Sequence, residues 1–166
     1  ELNVKRFSER DSLWANKRLG QPGSTQTIGK WGCLLTCFAM TANVYGHAVT
    51  PAQLNHTFVR KDGFVNINWT RWNALTKAYN DIIYGGKVDN DPNVTAKIDA
   101  SLAQGHPVTI LVDFTSNTPY TDNDQHWVLV VAKDGDDYRI NDPWLLPAQE
   151  ASLRQRYGIA GRPLRE

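Results

Sequence analysis

The chain has 166 residues, a formal net charge of +1, 41% apolar and 21% charged residues. That length suits one domain over residues 1–166 with a single core. The near-zero charge gives no reason to expect nucleic acid or an anionic membrane as a partner, and no apolar run approaches the ~20 residues needed to span a bilayer. The first residue is Glu1 rather than Met, which points to one module of a longer, processed protein.

Residues 1–30 read as a polar loop segment with anchors at Phe7, Trp14 and Leu19, and with a turn over Gln21-Pro22-Gly23-Ser24-Thr25-Gln26. The dense apolar run from Cys33 to Tyr45, closed by Gly46, predicts a buried helix. A second helix starts with Thr50 as N-cap and Pro51 in the first turn, and runs to about Lys61. Asn68 is placed to cap a third, from Trp69 to about Tyr79, with Trp72, Leu75 and Tyr79 on one face. Asn93 caps a fourth that ends at Gly105.

The period then changes. Val108 to Phe114 and Trp127 to Ala132 read as strands, and the turn Asp134-Gly135-Asp136 leads into a returning strand at Tyr138-Arg139-Ile140. The fold class is therefore α+β, with N-terminal helices packed on a C-terminal antiparallel sheet. Residues from about 146 to 166 read as a polar, basic tail of partial order.

The two cysteines, Cys33 and Cys37, are too few for a disulfide framework. No histidine lies at zinc-motif spacing from them, so no metal is expected. The acidic clusters Asp89-Asn90-Asp91, Asp122-Asn123-Asp124 and Asp134-Gly135-Asp136-Asp137 lack the spacing and closing Glu of a calcium loop, and read as solvated turns.

Cys33 follows Gly32 at the start of the predicted buried helix. Free N–H groups and the helix dipole favour negative charge there, so a lowered thiol pKa is expected. The plain alternative is a packed core cysteine, which is the reading for Cys37. His126 opens a strand, and Asp142 follows the strand that returns beside it. An antiparallel hairpin brings the start of one near the end of the other. Cys33 as nucleophile, His126 as base and Asp142 as the group orienting the base form a triad by residue type and order. Trp31, Trp127 and Trp144 flank the three positions and are candidate walls of a substrate cleft.

Six segments carry a family resemblance. They are Phe7-Ser8-Glu9-Arg10-Asp11-Ser12-Leu13-Trp14-Ala15, Thr27-Ile28-Gly29-Lys30-Trp31-Gly32-Cys33, Thr50-Pro51-Ala52-Gln53-Leu54-Asn55, Gly105-His106-Pro107-Val108, His126-Trp127-Val128-Leu129-Val130 and Asn141-Asp142-Pro143-Trp144. In this order the chain resembles papain-like cysteine peptidases, and within them the bacterial family related to the bacteriocin leader (double-glycine) peptidases. The resemblance implies a papain-like fold and thiol-protease roles for Cys33, His126 and Asp142. It implies no cofactor, and a peptide, protein or peptidoglycan substrate. It suggests a bacterial or phage source but gives neither the compartment, for which an extracellular or cell-wall location is one candidate, nor the oligomeric state, for which a monomer is the expectation.

Two departures stand out. Leu34-Leu35-Thr36 follows the cysteine where the family often has Gly-Pro-Thr or Gly-Pro-Ala. Glu9 stands near the place of a glutamine whose amide helps bind the oxyanion, so either Glu9 or Gln26, seven residues before Cys33, is the candidate for that task. Two other functions share these residues: acyl transfer to an amine, as in transglutaminases, and binding of peptide or cell-wall material without cleavage.

Overall fold

The computed structural model describes residues 2–89, 91–114 and 125–158. The acidic triplet Asp122-Asn123-Asp124, Asn90 and the tail end 159–166 lie outside the described residues.

Residues 2–27 form an irregular but well-packed segment. Val4, Phe7, Ser8, Glu9, Trp14 and Leu19 are buried in it. Phe7 and Trp14 meet edge to face at 5.7 Å. The Trp14 indole N–H donates to the Ser8 carbonyl at 2.8 Å, as a buried indole requires. A short helix α1 (Ile28–Trp31) follows and ends at Gly32. Helix α2 (Cys33–Val44) then begins at once. It is apolar almost all round, with Leu35, Cys37, Ala39, Met40 and Ala42 at 1% exposure or less, so it runs through the core.

Helix α3 (Pro51–Arg60) has the expected start. Thr50 accepts from Gln53 N–H at 3.2 Å, and the Gln53 side chain accepts from Thr50 N–H at 2.9 Å. The third expected helix is corrected by the structure. Asn66 and Ile67 adopt φ of 53° and 90°, which turns the chain back on itself. Strands β1 (Phe64–Val65) and β2 (Trp69–Thr70) pair there, and only Ala74–Ala78 is helical, as α4. Trp72 is then half-exposed rather than on a buried face. Helix α5 (Val94–Ala103) ends near Gly105, which takes φ 81°.

Strands β3 (Val108–Asp113), β4 (Gln125–Asp134), β5 (Asp137–Asn141) and β6 (Glu150–Ser152) form one antiparallel sheet in that order. This is the α+β arrangement read from the sequence, with helices first and sheet after. A two-residue turn joins β4 to β5, with Gly135 at φ 62°.

Strand β4 is covered on both faces. Leu129 and Val131 pack with α2, α3 and the N-terminal segment. Val128 and Val130 pack with Ile98 of α5 and with Leu153 and Tyr157. This double burial explains why Trp127 to Val131 is apolar without alternation. The stretch expected as a tail carries β6 and the short helix α6 (Leu153–Arg156), anchored by Leu153 at 0% exposure.

Candidate active site

The β4–β5 register pairs Leu129 with Asn141. Asp142, one residue past β5, therefore reaches His126, near the start of β4. His126 Nε2 and Asp142 Oδ1 are 2.7 Å apart, and the two residues are 5% and 2% exposed. At that burial the bond is shielded from competing water.

The remaining lone pairs of Asp142 are also engaged. Its Oδ1 accepts from Trp144 N–H at 2.9 Å, and its Oδ2 accepts from Arg156 Nε at 2.9 Å and from the Tyr157 hydroxyl. Burial pushes the carboxyl up. The hydrogen bond and charge of His126, with the Tyr157 and Trp144 bonds, outweigh it and hold Asp142 below the usual carboxylate range. With Nε2 committed to Asp142, Nδ1 is the imidazole nitrogen left for proton transfer.

Phe114 fixes the other side of the ring. It meets His126 edge to face at 5.1 Å and Trp144 at 5.4 Å. The Arg10 guanidinium lies over the Trp144 indole at 4.6 Å. The sequence reading missed Arg156, Tyr157 and Phe114. Only Phe114 left a signal, as the last aromatic of an apolar run.

Cys33 occupies the first turn of α2. The N–H groups of Trp127, Leu34 and Cys33 itself favour a thiolate there, but burial and the nearby Glu9 carboxyl act against it and push the thiol up to about 12. The expected lowering by the helix start is thus reversed, because desolvation outweighs the dipole. The sulfur lies against the backbone of Trp127, the residue after His126. Among the described residues Cys33 and the imidazole share no direct hydrogen bond. Cys37 is fully buried one turn further along.

Glu9 is 1% exposed and faces the same spot. Its N–H donates to the Pro143 carbonyl at 2.8 Å, and the Ser8 hydroxyl donates to the same oxygen at 3.2 Å. These bonds seat the N-terminal segment beside Asp142. Neither Glu9 carboxyl oxygen has a hydrogen-bond partner among the described residues. Burial, then the charge of Asp142, raise this carboxyl to about 8; the Gly32 N–H and Arg10 pull weakly the other way. Gln26 belongs to the loop before α1, where its N–H donates to Ser24 Oγ at 3.3 Å and its carbonyl accepts from Leu19 N–H at 2.8 Å.

A cleft of about 460 Å³ is lined by Leu34, Phe38, Tyr45, Trp72, Ile110 and Trp127 among others; Cys33, His126, Asp142 and Glu9 are not part of its lining. Leu34 and Trp127 are the chain neighbours of Cys33 and His126. Trp127 is thus a cleft wall, Trp144 buttresses the imidazole through Phe114, and Trp31 stands 57% exposed on α1. Among the described residues no group of three His, Cys, Asp or Glu side chains is placed to hold a metal ion. Among them, too, no helix is long and apolar enough to cross a membrane.

The class the fold defines is α+β, with helices first and an antiparallel sheet after; Cys33 lies on a helix and the buried His126–Asp142 pair on the sheet. The sequence matches the Peptidase_C39 like family over residues 2–161, and the chain belongs to that family. Membership points to cysteine peptidase activity on a peptide substrate. Comparison with curated proteins and with solved structures finds no match.

Proposed function

We propose that the protein hydrolyses a peptide or peptidoglycan amide bond through Cys33, His126 and Asp142. The observation that carries this reading is the buried His126–Asp142 pair at 2.7 Å, set beside the first turn of α2 where Cys33 sits.

His126 accepts the Cys33 thiol proton at Nδ1 as sulfur attacks the carbonyl carbon. The carbonyl π electrons move to oxygen, and the Cys33 N–H at the helix start donates to the resulting oxyanion. Collapse breaks the C–N bond, and the imidazolium returns its proton to the leaving amine. Water then attacks the thioester, giving its proton to His126, and the acid and the Cys33 thiol are released. Asp142 stays ionised throughout and stabilises the imidazolium. In the unliganded protein such contacts are often loose and tighten on substrate binding. The cleft lined by Leu34 and Trp127 would take an apolar side chain of the substrate.

The test is alkylation with iodoacetamide read by mass spectrometry, alongside Cys33→Ala. Labelling of Cys33 that slows in His126→Ala, with hydrolysis lost in Cys33→Ala, is the expected result. Full hydrolytic activity in Cys33→Ala would overturn the reading.

A further inference from the structure

Glu9 poses a physical problem. A carboxyl that is 1% exposed, with no hydrogen-bond partner for either oxygen among the described residues, ordinarily costs folding free energy and is avoided. The groups facing it come from three elements: Gly32 and Cys33 at the α1–α2 junction, Asp142 after β5, and Arg10 next in its own segment. Two of the four, Cys33 and Asp142, are acids. The cation, Arg10, is stacked over Trp144. The Gly32 N–H donates to Ile28 O at 2.8 Å and is not available as a full donor. An ionised Glu9 in this spot would repel any negative charge forming on a carbonyl attacked by Cys33.

A neutral Glu9 does the opposite. Its O–H is an unspent donor, buried in a water-poor site against the Gly32–Cys33 peptide, where a hydrogen bond to developing charge is worth most. We propose that Glu9 is a catalytic residue that works as a neutral carboxylic acid, donating its O–H to the oxyanion on the carbonyl attacked by Cys33. The proton stays on Glu9, and no bond to it forms or breaks. The missing partner for the Glu9 oxygens is then the substrate itself. Burial holds the carboxyl protonated at neutral pH, since it titrates near 8. This inference rests on the reading of Cys33 as the nucleophile.

The experiment compares two reactions of Cys33 in the wild type, Glu9→Gln and Glu9→Ala from pH 6.5 to 9.5, read by mass spectrometry. Acetylation by p-nitrophenyl acetate passes through an oxyanion; alkylation by iodoacetamide does not. Both use the Cys33 sulfur as nucleophile with its proton lost to His126, so their rate ratio isolates oxyanion stabilisation. In the wild type the ratio should fall roughly tenfold or more, with a midpoint near 8. In Glu9→Gln, which carries an N–H donor at every pH, the ratio should stay level. In Glu9→Ala it should be about 10²-fold lower than in the wild type at pH 6.5. A level ratio in the wild type, or a fall in Glu9→Gln equal to that of the wild type, overturns the proposal and leaves the nucleophile in place. If Cys33 reacts with neither reagent, the peptidase reading falls and this proposal with it.

Discussion

Tyr157 donates its hydroxyl to Oδ2 of Asp142, the carboxylate oxygen that does not face His126. A segment that reads as a polar tail thus holds the carboxylate that pairs with His126. Tyr157→Phe removes one donor and leaves Arg156 Nε, at 2.9 Å, in place. On the mechanism proposed above, the expected result is a fall in kcat of roughly tenfold with KM little changed, because the positioning of His126 is felt in the transition state. A hydrogen bond to a charged group is worth about 1.5–3 kcal/mol, so urea unfolding should show a loss of that order. A loss of stability with kcat intact would show that Tyr157 serves the fold alone.

Glu9 sets a pH dependence of stability that is independent of turnover. In the unfolded chain its carboxyl titrates near 4.5, and in the folded one near 8. Below 4.5 both states hold the proton and the carboxyl brings no penalty. As pH rises the unfolded chain releases its proton first, so folded stability is progressively lost until the folded group ionises too. Glu9→Gln lacks this proton. Its stability relative to the wild type should therefore rise between pH 4.5 and 8 and then level off, by an amount on the order of a few kcal/mol. Thermal melts of both proteins at pH 4, 6 and 8.5 measure it. A constant difference across that range would mean that Glu9 is ionised in the fold like an ordinary glutamate.

What could be read from the sequence follows how local each determinant is. Helix α3 was legible because Thr50, Pro51 and Gln53 carry its start within four residues. The His126–Asp142 meeting was legible because a hairpin with a Gly-containing turn joins the two strands, so the register follows from the turn. The span from Trp69 to Tyr79 misled, since Asn68 looks like a cap while the real decision is non-local. Val65 pairs with Trp69 across a turn that places Asn66 and Ile67, neither a glycine, at positive φ. Strand β6 is Glu-Ala-Ser, with no strand-forming residue, and exists because β5 offers it a free edge. The pKa of Cys33 was misjudged for a related reason. The helix start is visible in the sequence, whereas the Glu9 charge that opposes it comes from a residue 24 positions earlier in the chain, brought close only by the fold.

Gly32 sets the junction that presents Cys33. A Cβ there would lie 2.5 Å from Ile28 O and 2.8 Å from Ile28 Cγ2, and Ile28 is itself fully buried. Backbone cannot yield as a flexible side-chain tip can. Gly32→Ala should therefore cost about 1–3 kcal/mol by overpacking, and it should shift the first turn of α2. Iodoacetamide labelling of Cys33 should slow in the folded variant at a pH where the wild type labels freely. Unchanged stability and labelling would show that α1 and α2 can part without moving the sulfur.

Leu153 tests whether the C-terminal segment and the site are one mechanical unit. It is 0% exposed and packs with Val128, Val130 and Ile140 beneath α6. The α6 start is held by polar bonds. Ser152 caps it by accepting from Gln155 N–H at 3.2 Å, and the Ser152 hydroxyl donates to Asp137 of β5. Its end is held by Tyr157, whose N–H donates to Leu153 O at 2.8 Å and whose hydroxyl reaches Asp142. Leu153→Ala should lower stability by about 2–5 kcal/mol from lost burial and the residual cavity. Because Leu153 and Tyr157 sit one turn apart, the double variant with Tyr157→Phe should be non-additive by about 0.5 kcal/mol or more. Urea unfolding of the two singles and the double measures this. Strict additivity would mean that the leucine anchors α6 without setting where the tyrosine hydroxyl falls, so that loosening the segment leaves Asp142 correctly held.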